Sequence, residues 1–124
     1  MHSGLISKFS SHLIKRACEV AVGKRENLII NGNDYNTIDG TTVRDFVHVS
    51  DLAEMHYICI KYLILNNKSN IFNCGYGLGT SVKEVIKVLT TLLGFHIQTQ
   101  LGQRRPGAAK KVVANISTFY PYFS

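Results

Sequence analysis

The sequence predicts one mixed domain of the α/β or α+β class. Two observations lead to this prediction. The chain has 124 residues, of which 45% are hydrophobic, and this length and composition suit a single globular domain with its own core. Helical periodicity alternates with short β-branched runs in the order helix, strand, helix, strand, helix, strand, strand, which is typical of mixed folds.

The first helix is predicted over residues 12–22. Ser10 or Ser11 can cap its N-terminus, and Gly23 is a natural stop signal. The short β-branched run at residues 28–31 follows and is predicted to be a strand.

The second helix is predicted from Asp51 to about Leu65, with Ser50 as its N-cap and a short extended piece over residues 47–49 before it. Apolar side chains occur nearly all round this helix. Two interpretations remain open at this point, because such a helix can lie at the centre of a core or can pack one face against a partner domain.

The third helix has the clearest local signals. Ser81 and Glu84 match the S-x-x-E capping box, apolar residues follow at helical spacing from Val82 to Leu93, and Gly94 ends the pattern. Further strands are predicted over residues 71–74, 96–100 and 112–115.

Several motifs that carry chemistry in other proteins are interpreted here as structural. The glycine loop 75–79 does not fit G-x-G-x-x-G, because its third glycine comes one residue early, so it is predicted to be a tight strand-to-helix turn. Tyr57 and Lys61 have the Tyr-x-x-x-Lys spacing of short-chain dehydrogenases, but they lie in the most apolar helix, which favours coincidence. No histidine set has metal-ligand spacing. The cysteines are expected to be buried free thiols: Cys18, Cys59 and Cys74.

The formal net charge is +6, which favours an anionic partner such as a nucleotide, a nucleic acid or a membrane surface. The basic residues are scattered and do not alternate with aromatic residues, so a nucleic-acid partner is disfavoured. The sequence lacks both an apolar run of roughly 18 residues and a clear secretory signal. The expected location is the cytoplasm, without a membrane partner.

Two arginines lie beside turn sequences. Arg44 follows the turn sequence DGTT and precedes an extended segment, and Arg105 precedes Pro106 and Gly107. A guanidinium held in this way can bind a phosphate with two parallel hydrogen bonds. The competing interpretations are a salt bridge to neighbouring aspartates for Arg44 and a solvated charged turn for Arg105. Two such turns in one small chain indicate a diphosphate ligand.

Residues 32–56, GNDYNTIDGTTVRDFVHVSDLAEMH, resemble a signature of UDP-glucose (UDP-galactose) 4-epimerases, which are extended short-chain dehydrogenase/reductase proteins. The pattern continues in HLIKRACEVAVGKR before this stretch and in FNCGYGLGTSVKEVI and QRRPG after it, so the resemblance covers about residues 11–118. In that family an N-terminal Rossmann domain holds NAD and the catalytic Ser/Thr, Tyr and Lys, and a smaller C-terminal domain binds the UDP-sugar. The resemblance implies that residues 1–124 form that C-terminal substrate domain as a single, incomplete unit without the Rossmann domain.

The resemblance also implies a substrate site. The family contacts the diphosphate and uridine at the positions of His12 and Leu13, pairs backbone groups with uracil at Ile29 and Asn31, and binds the diphosphate through arginines at Arg44 and Arg105. Three positions depart from the family pattern: Lys15 replaces the usual proline, Asn115 replaces an aspartate near the end of the chain, and Ala108 is the third. Ala108 replaces an aspartate that usually contacts the ribose.

The family reaction is the NAD-dependent interconversion of UDP-glucose and UDP-galactose in galactose metabolism, in which a hydride leaves C4 of the hexose and returns to its other face. This chain contains neither the cofactor glycines nor the catalytic triad, so we expect no catalytic, cofactor-binding or metal-binding residues and no epimerisation by the chain alone. The expected partners are a UDP-sugar, a separate NAD-binding chain and a second copy through self-association. The alternatives are a stand-alone nucleotide-sugar-binding module, a non-functional remnant and a basic nucleic-acid-binding module.

Overall fold

The computed structural model describes residues 11–119 and 121. Within them the chain forms three helices and five short strands, which confirms the mixed α/β class. The elements are, in chain order, α1 (Leu13–Ala21), β1 (Leu28–Asn31), β2 (Val43–Arg44), α2 (Val49–Asn66), β3 (Thr80–Ser81), α3 (Val82–Leu93), β4 (Thr99–Gly102) and β5 (Lys111–Val112).

The strands form two small sheets. β1 pairs in parallel with β4, with Leu28 opposite Thr99 and Asn31 opposite Gly102. In the second sheet β2 is central, antiparallel to β3 and parallel to β5. This pairing brings together segments that are far apart in sequence, and it fixes Arg44 between two neighbouring strands.

The core lies where α1 and α3 pack over β1. Apolar residues from both helices, from β1 and from the segment before β4 exclude water there, and such burial is the main stabilising term of a small domain. The buried members are Ala17, Leu28, Ile30, Ile86 and Ile97.

The first helix is one residue shorter at each end than predicted. His12, in an extended conformation, is its N-cap and makes no side-chain capping bond, so Ser11 is not the cap, and Ser10 lies outside the described residues. Val22 is the C-cap, and Gly23 follows with a φ of +73°, a left-handed conformation that favours glycine.

The second helix begins earlier than predicted, at Val49. Its N-cap is His48, whose ring Nδ1 accepts a hydrogen bond from the Ser50 backbone N–H at 3.2 Å. Met55 is its buried residue, at 2% exposure. The interpretation of α2 as a central core helix is therefore wrong, and most of its apolar surface faces outward.

The third helix agrees with its prediction. Ser81 and Glu84 form the reciprocal capping box, and Gly94 is a left-handed C-cap. This segment was predictable because every signal is local to it and none depends on a distant partner.

The predicted strands agree less well with the structure. The strand at 28–31 is confirmed, whereas those at 96–100 and 112–115 are shifted to 99–102 and 111–112. Residues 71–74 are not a strand, because a strand needs a hydrogen-bonded neighbour and this segment pairs with none in the described part of the chain. The short extended piece expected over residues 47–49 is extended at His48, and Val49 already belongs to α2. The glycine loop 75–79 therefore does not follow a strand.

In the described part of the chain, no helix is both long enough and apolar enough to cross a membrane.

Candidate functional site

A cleft of about 780 Å³ opens between the start of α1, strand β1 and the turns that precede β2 and β5. This volume suits a nucleotide-sized ligand. The structure brings together all six residues predicted to bind substrate, and each lines the cleft: His12, Leu13, Ile29, Asn31, Arg44 and Arg105.

Arg44 is held in place by backbone carbonyls. Its Nη1 donates to Val43 O at 2.7 Å and its Nη2 donates to Ala109 O at 2.9 Å. Among residues 11–119 and 121, Arg44 forms no ion pair, so the interpretation as a salt bridge to neighbouring aspartates is wrong. The guanidinium charge is fixed in the cleft wall, and no carboxylate of the described residues neutralises it.

The neighbouring carboxylate, that of Asp45, accepts backbone hydrogen bonds instead of binding Arg44. It accepts hydrogen bonds from the backbone N–H groups of Tyr76 (3.2 Å), Gly77 (2.9 Å) and Ala114 (3.3 Å). A Cβ on Gly75 would lie 2.5 Å from Ala114 Cβ and 2.6 Å from Asp45 Oδ2. The glycines thus allow close packing of protein against protein, and the donors of this loop bind Asp45 rather than facing an open phosphate cradle.

The two consecutive arginines have different roles. Arg104 Nε donates to Asp34 Oδ1 at 2.6 Å, its Nη2 donates to Asp34 O, and its guanidinium lies 4.2 Å from the centre of the Tyr35 ring. The hydrogen bond from Arg104 lowers the pKa of Asp34 against the opposing effect of burial, and the charge of Arg104 adds to the lowering. Arg105 lines the cleft, and its Nη1 lies 3.5 Å from Ser11 Oγ.

The cleft wall is strongly cationic. Arg16, Lys24 and Arg25 line it together with Arg44 and Arg105, whereas Glu26 is its one acidic lining residue among those the structure describes. Glu19 accepts from Arg25 Nε at 2.5 Å and from Arg16 Nη1 at 3.5 Å, so part of this charge is neutralised. The remaining positive potential favours an anionic ligand.

A turn stabilised by Asp39 joins the cleft wall to α3. The Asp39 carboxylate accepts from Thr41 N at 2.8 Å, from Thr41 Oγ1 at 2.7 Å and from Ser81 Oγ, while Lys83 Nζ donates to Asp39 O at 2.7 Å. Burial would raise the pKa of Asp39, but the bonds from Ser81 and Thr41 and the charge of Lys83 together lower it. A Cβ on Gly40, which has a φ of +80°, would lie 2.0 Å from Asn33 O, so the turn requires glycine.

Several residues that line the cleft were not predicted from the sequence. Phe46 and Thr42 lie two positions on either side of Arg44 and line the same cleft, so the two-residue period of extended chain was the available signal. Tyr35 also lines the cleft, and no local pattern indicated it, because the Arg104 guanidinium that packs on its ring comes from a distant turn.

Tyr57 and Lys61 form a contact of their own on α2. Lys61 Nζ lies 4.7 Å from the centre of the Tyr57 ring, a cation–π geometry, and neither residue lines the cleft. Within the described part of the chain, no group of three His, Cys, Asp or Glu side chains is placed to hold a metal ion.

Comparison with known proteins identifies the family. A model of the NAD dependent epimerase/dehydratase family matches residues 2–75, more than half of the chain. The chain belongs to this family. Among its relatives, the UDP-glucose 4-epimerase of Azospirillum brasilense is 42% identical over 112 residues, which are 90% of this chain and 32% of that protein.

Solved structures show the same likeness. The UDP-Glc/GlcNAc 4-epimerase of Campylobacter jejuni has a TM-score of 0.79 and 40% identity, over 96% of this chain and 36% of that one. The UDP-glucose 4-epimerase of Stenotrophomonas maltophila, with bound NAD and formylated UDP-arabinopyranose, has a TM-score of 0.87 and 32% identity, over 92% and 34% of the two chains. This member of the epimerase/dehydratase family thus spans about a third of the length of the relatives it matches.

Proposed function

We propose that this chain is the nucleotide-sugar-binding portion of a UDP-glucose 4-epimerase-like protein and corresponds to its C-terminal substrate domain. The ligand is a UDP-sugar, and the reaction it serves is the interconversion of UDP-glucose and UDP-galactose. The single observation that carries the proposal is the convergence of Arg44 and Arg105 on one cleft, without a carboxylate partner for either among residues 11–119 and 121.

Different cleft residues bind different parts of the ligand. Arg44 and Arg105 supply cationic donors for the diphosphate, and a charge-assisted bond of this kind contributes about 1.5–3 kcal/mol. Because Arg44 is already oriented by two carbonyls, less side-chain entropy is lost when a ligand binds. Backbone groups of Ile29 and Asn31 contact the uracil, and His12 and Leu13 complete the site near the diphosphate and uridine.

Hydride transfer in the family requires NAD and a catalytic Ser/Thr, Tyr and Lys. The glycine loop of this chain does not fit a dinucleotide phosphate, because Asp45 occupies the backbone N–H groups of Tyr76 and Gly77. The chain therefore binds and orients the nucleotide-sugar, and a separate NAD-binding domain performs the redox chemistry. The relative from Stenotrophomonas maltophila holds both NAD and a UDP-sugar derivative, so that protein has a site for each ligand.

The decisive experiment is a thermal melt of the purified chain with and without millimolar UDP. A ligand that binds only the folded state raises the Tm, so we expect a cooperative melt that shifts upward with UDP and less with uridine, which lacks the diphosphate. A cooperative melt that UDP leaves unmoved would refute a retained ligand site. A melt without a cooperative transition would favour a non-functional remnant.

The stand-alone binding module is a second candidate, since all six residues proposed to bind the ligand line one cleft of this chain. Adding a purified NAD-binding domain of a related epimerase, with UDP-galactose as substrate, separates the two. Restored epimerisation supports the half-enzyme, whereas UDP binding without restored turnover supports the module.

A further inference from the structure

Two of the three thiols lie together, away from the proposed ligand cleft. Cys59 is in α2 and Cys74 is in the segment that leads into the glycine loop, and both are half-buried. Neither lines the cleft. Cys18, by contrast, is exposed on α1, which corrects the expectation of three buried thiols.

Aromatic packing fixes the position of residues 70–72 against α2. Asn70 Nδ2 donates to the Tyr62 hydroxyl at 3.3 Å, the Tyr62 and Phe72 rings meet edge to face with centroids 5.2 Å apart, and Phe72 packs in the same way on Phe119 at 5.6 Å. Residues 70–72 are therefore held against the second half of α2.

The same contacts bring the side chains of Cys59 and Cys74 together. Cys59 precedes Tyr62 by about one helical turn and lies on the same face of α2, while Cys74 comes two residues after Phe72, in the segment that Tyr62 holds against the helix. The Cys74 side chain is a hydrogen-bonding neighbour of Cys59. Burial first, and then the charge and hydrogen bond of Cys74, raise the pKa of Cys59.

We propose that Cys59 and Cys74 form a reversible disulfide by exchange with a small-molecule disulfide of the glutathione type. One protein thiolate attacks the oxidant, forms a mixed disulfide and releases one glutathione thiol. The second protein thiolate then attacks the protein sulfur of the mixed disulfide and releases the other glutathione. The two protein thiols are oxidised and the oxidant is reduced to two thiols. The crosslink ties α2 to the entry of the glycine loop.

The test treats the folded full chain with oxidised glutathione, followed by intact-mass and peptide analysis. For the Cys18→Ser variant we expect loss of two hydrogen atoms, no retained glutathione, a peptide joining Cys59 to Cys74, and a Tm raised by on the order of 5 °C or more, because the crosslink restricts the unfolded chain. A thiol reductant should reverse each change.

Two further samples make the result decisive. In Cys59→Ser, Cys74 should keep its glutathione, since the attacking partner is gone. In wild-type chain oxidised in urea, all three cysteine pairings should form, whereas the folded chain should give only the pairing of Cys59 with Cys74. Stable glutathione on both thiols of Cys18→Ser, dimers linked through them, or no oxidation of either would overturn the proposal.

Discussion

Arg104 forms an ion pair with Asp34, with 2.6 Å between Nε and Oδ1, and this contact explains why its neighbour Arg105 is the arginine left to line the cleft. The pair joins the turn after β4 to the loop after β1, 70 residues apart in sequence. Two adjacent arginines of the same chemistry thus have different roles, which makes them a matched pair for mutation.

Arg105→Gln should weaken UDP binding by about 10- to 100-fold, because one charge-assisted bond to the diphosphate is lost. Titration calorimetry measures the change, and Tm without ligand should stay within about 2 °C of wild type. Arg104→Gln should give the opposite pattern. It should lower Tm, and it should reduce UDP affinity less than Arg105→Gln does. Equal losses of affinity in both variants, with Tm unchanged in both, would contradict this assignment.

Arg44→Lys should lose most of the UDP affinity although the charge is retained. A lysine ammonium lacks the planar fork that lets Arg44 satisfy Val43 O and Ala109 O while presenting further donors to a phosphate. We expect at least a tenfold rise in Kd, with uridine binding changed much less. A lysine variant that binds UDP as well as wild type would show that Arg44 acts only as a point charge.

Ala108→Asp should strengthen UDP binding several-fold. Ala108 lines the cleft, and the resemblance to 4-epimerases implies an aspartate that contacts the ribose at this position. The gain should appear for UDP and be smaller for 2′-deoxy-UDP, if the carboxylate reaches the 2′-hydroxyl. Ala109→Asp, one residue along, serves as the control for the added charge, and an equal gain there would refute a specific ribose contact.

Asp39→Asn should lower the free energy of unfolding by about 1–3 kcal/mol at neutral pH. The reason is that the carboxylate would no longer accept charge-assisted hydrogen bonds from Thr41 and Ser81. The pKa of Asp39 is lowered in the folded chain, so this stability is present above the unfolded pKa of about 3.9 and is lost as pH falls through the folded value. Urea unfolding between pH 3 and 7 should show a flatter profile in the variant. Glu54→Gln, an exposed carboxylate of α2, is the control and should leave the profile unchanged.

The outward face of α2 should drive self-association of the isolated chain. Tyr57, Ile60 and Ile64 form one stripe with exposures of 57%, 56% and 73%, and a contiguous apolar surface of this kind favours association. Sedimentation of wild type should depend on concentration, and Ile60→Glu with Ile64→Glu should give a monomer. Val88→Glu, at an exposed apolar position on α3, is the control. A monomeric wild type with a high Tm would contradict the expectation.

The sequence by itself determined what depends on neighbours along the chain. The Ser81 and Glu84 capping box, the apolar spacing of α3 and the strand at 28–31 are local signals, and the structure has each of them. The pairing of two arginine-bearing turns also indicated an anionic ligand, since charge and turn chemistry can be read directly from the residues.

Only the tertiary structure decided which polar groups were left for a ligand. From the sequence, Asp45 could either pair with Arg44 or accept backbone hydrogen bonds. In the folded chain it accepts them from Gly77 and Ala114, which come from distant segments. For the same reason the sequence did not predict the strand at Val43–Arg44, which exists because β3 and β5 supply its hydrogen-bonding partners. A hydrogen-bonding group takes the partner that folding brings within reach, and the linear sequence does not specify that partner.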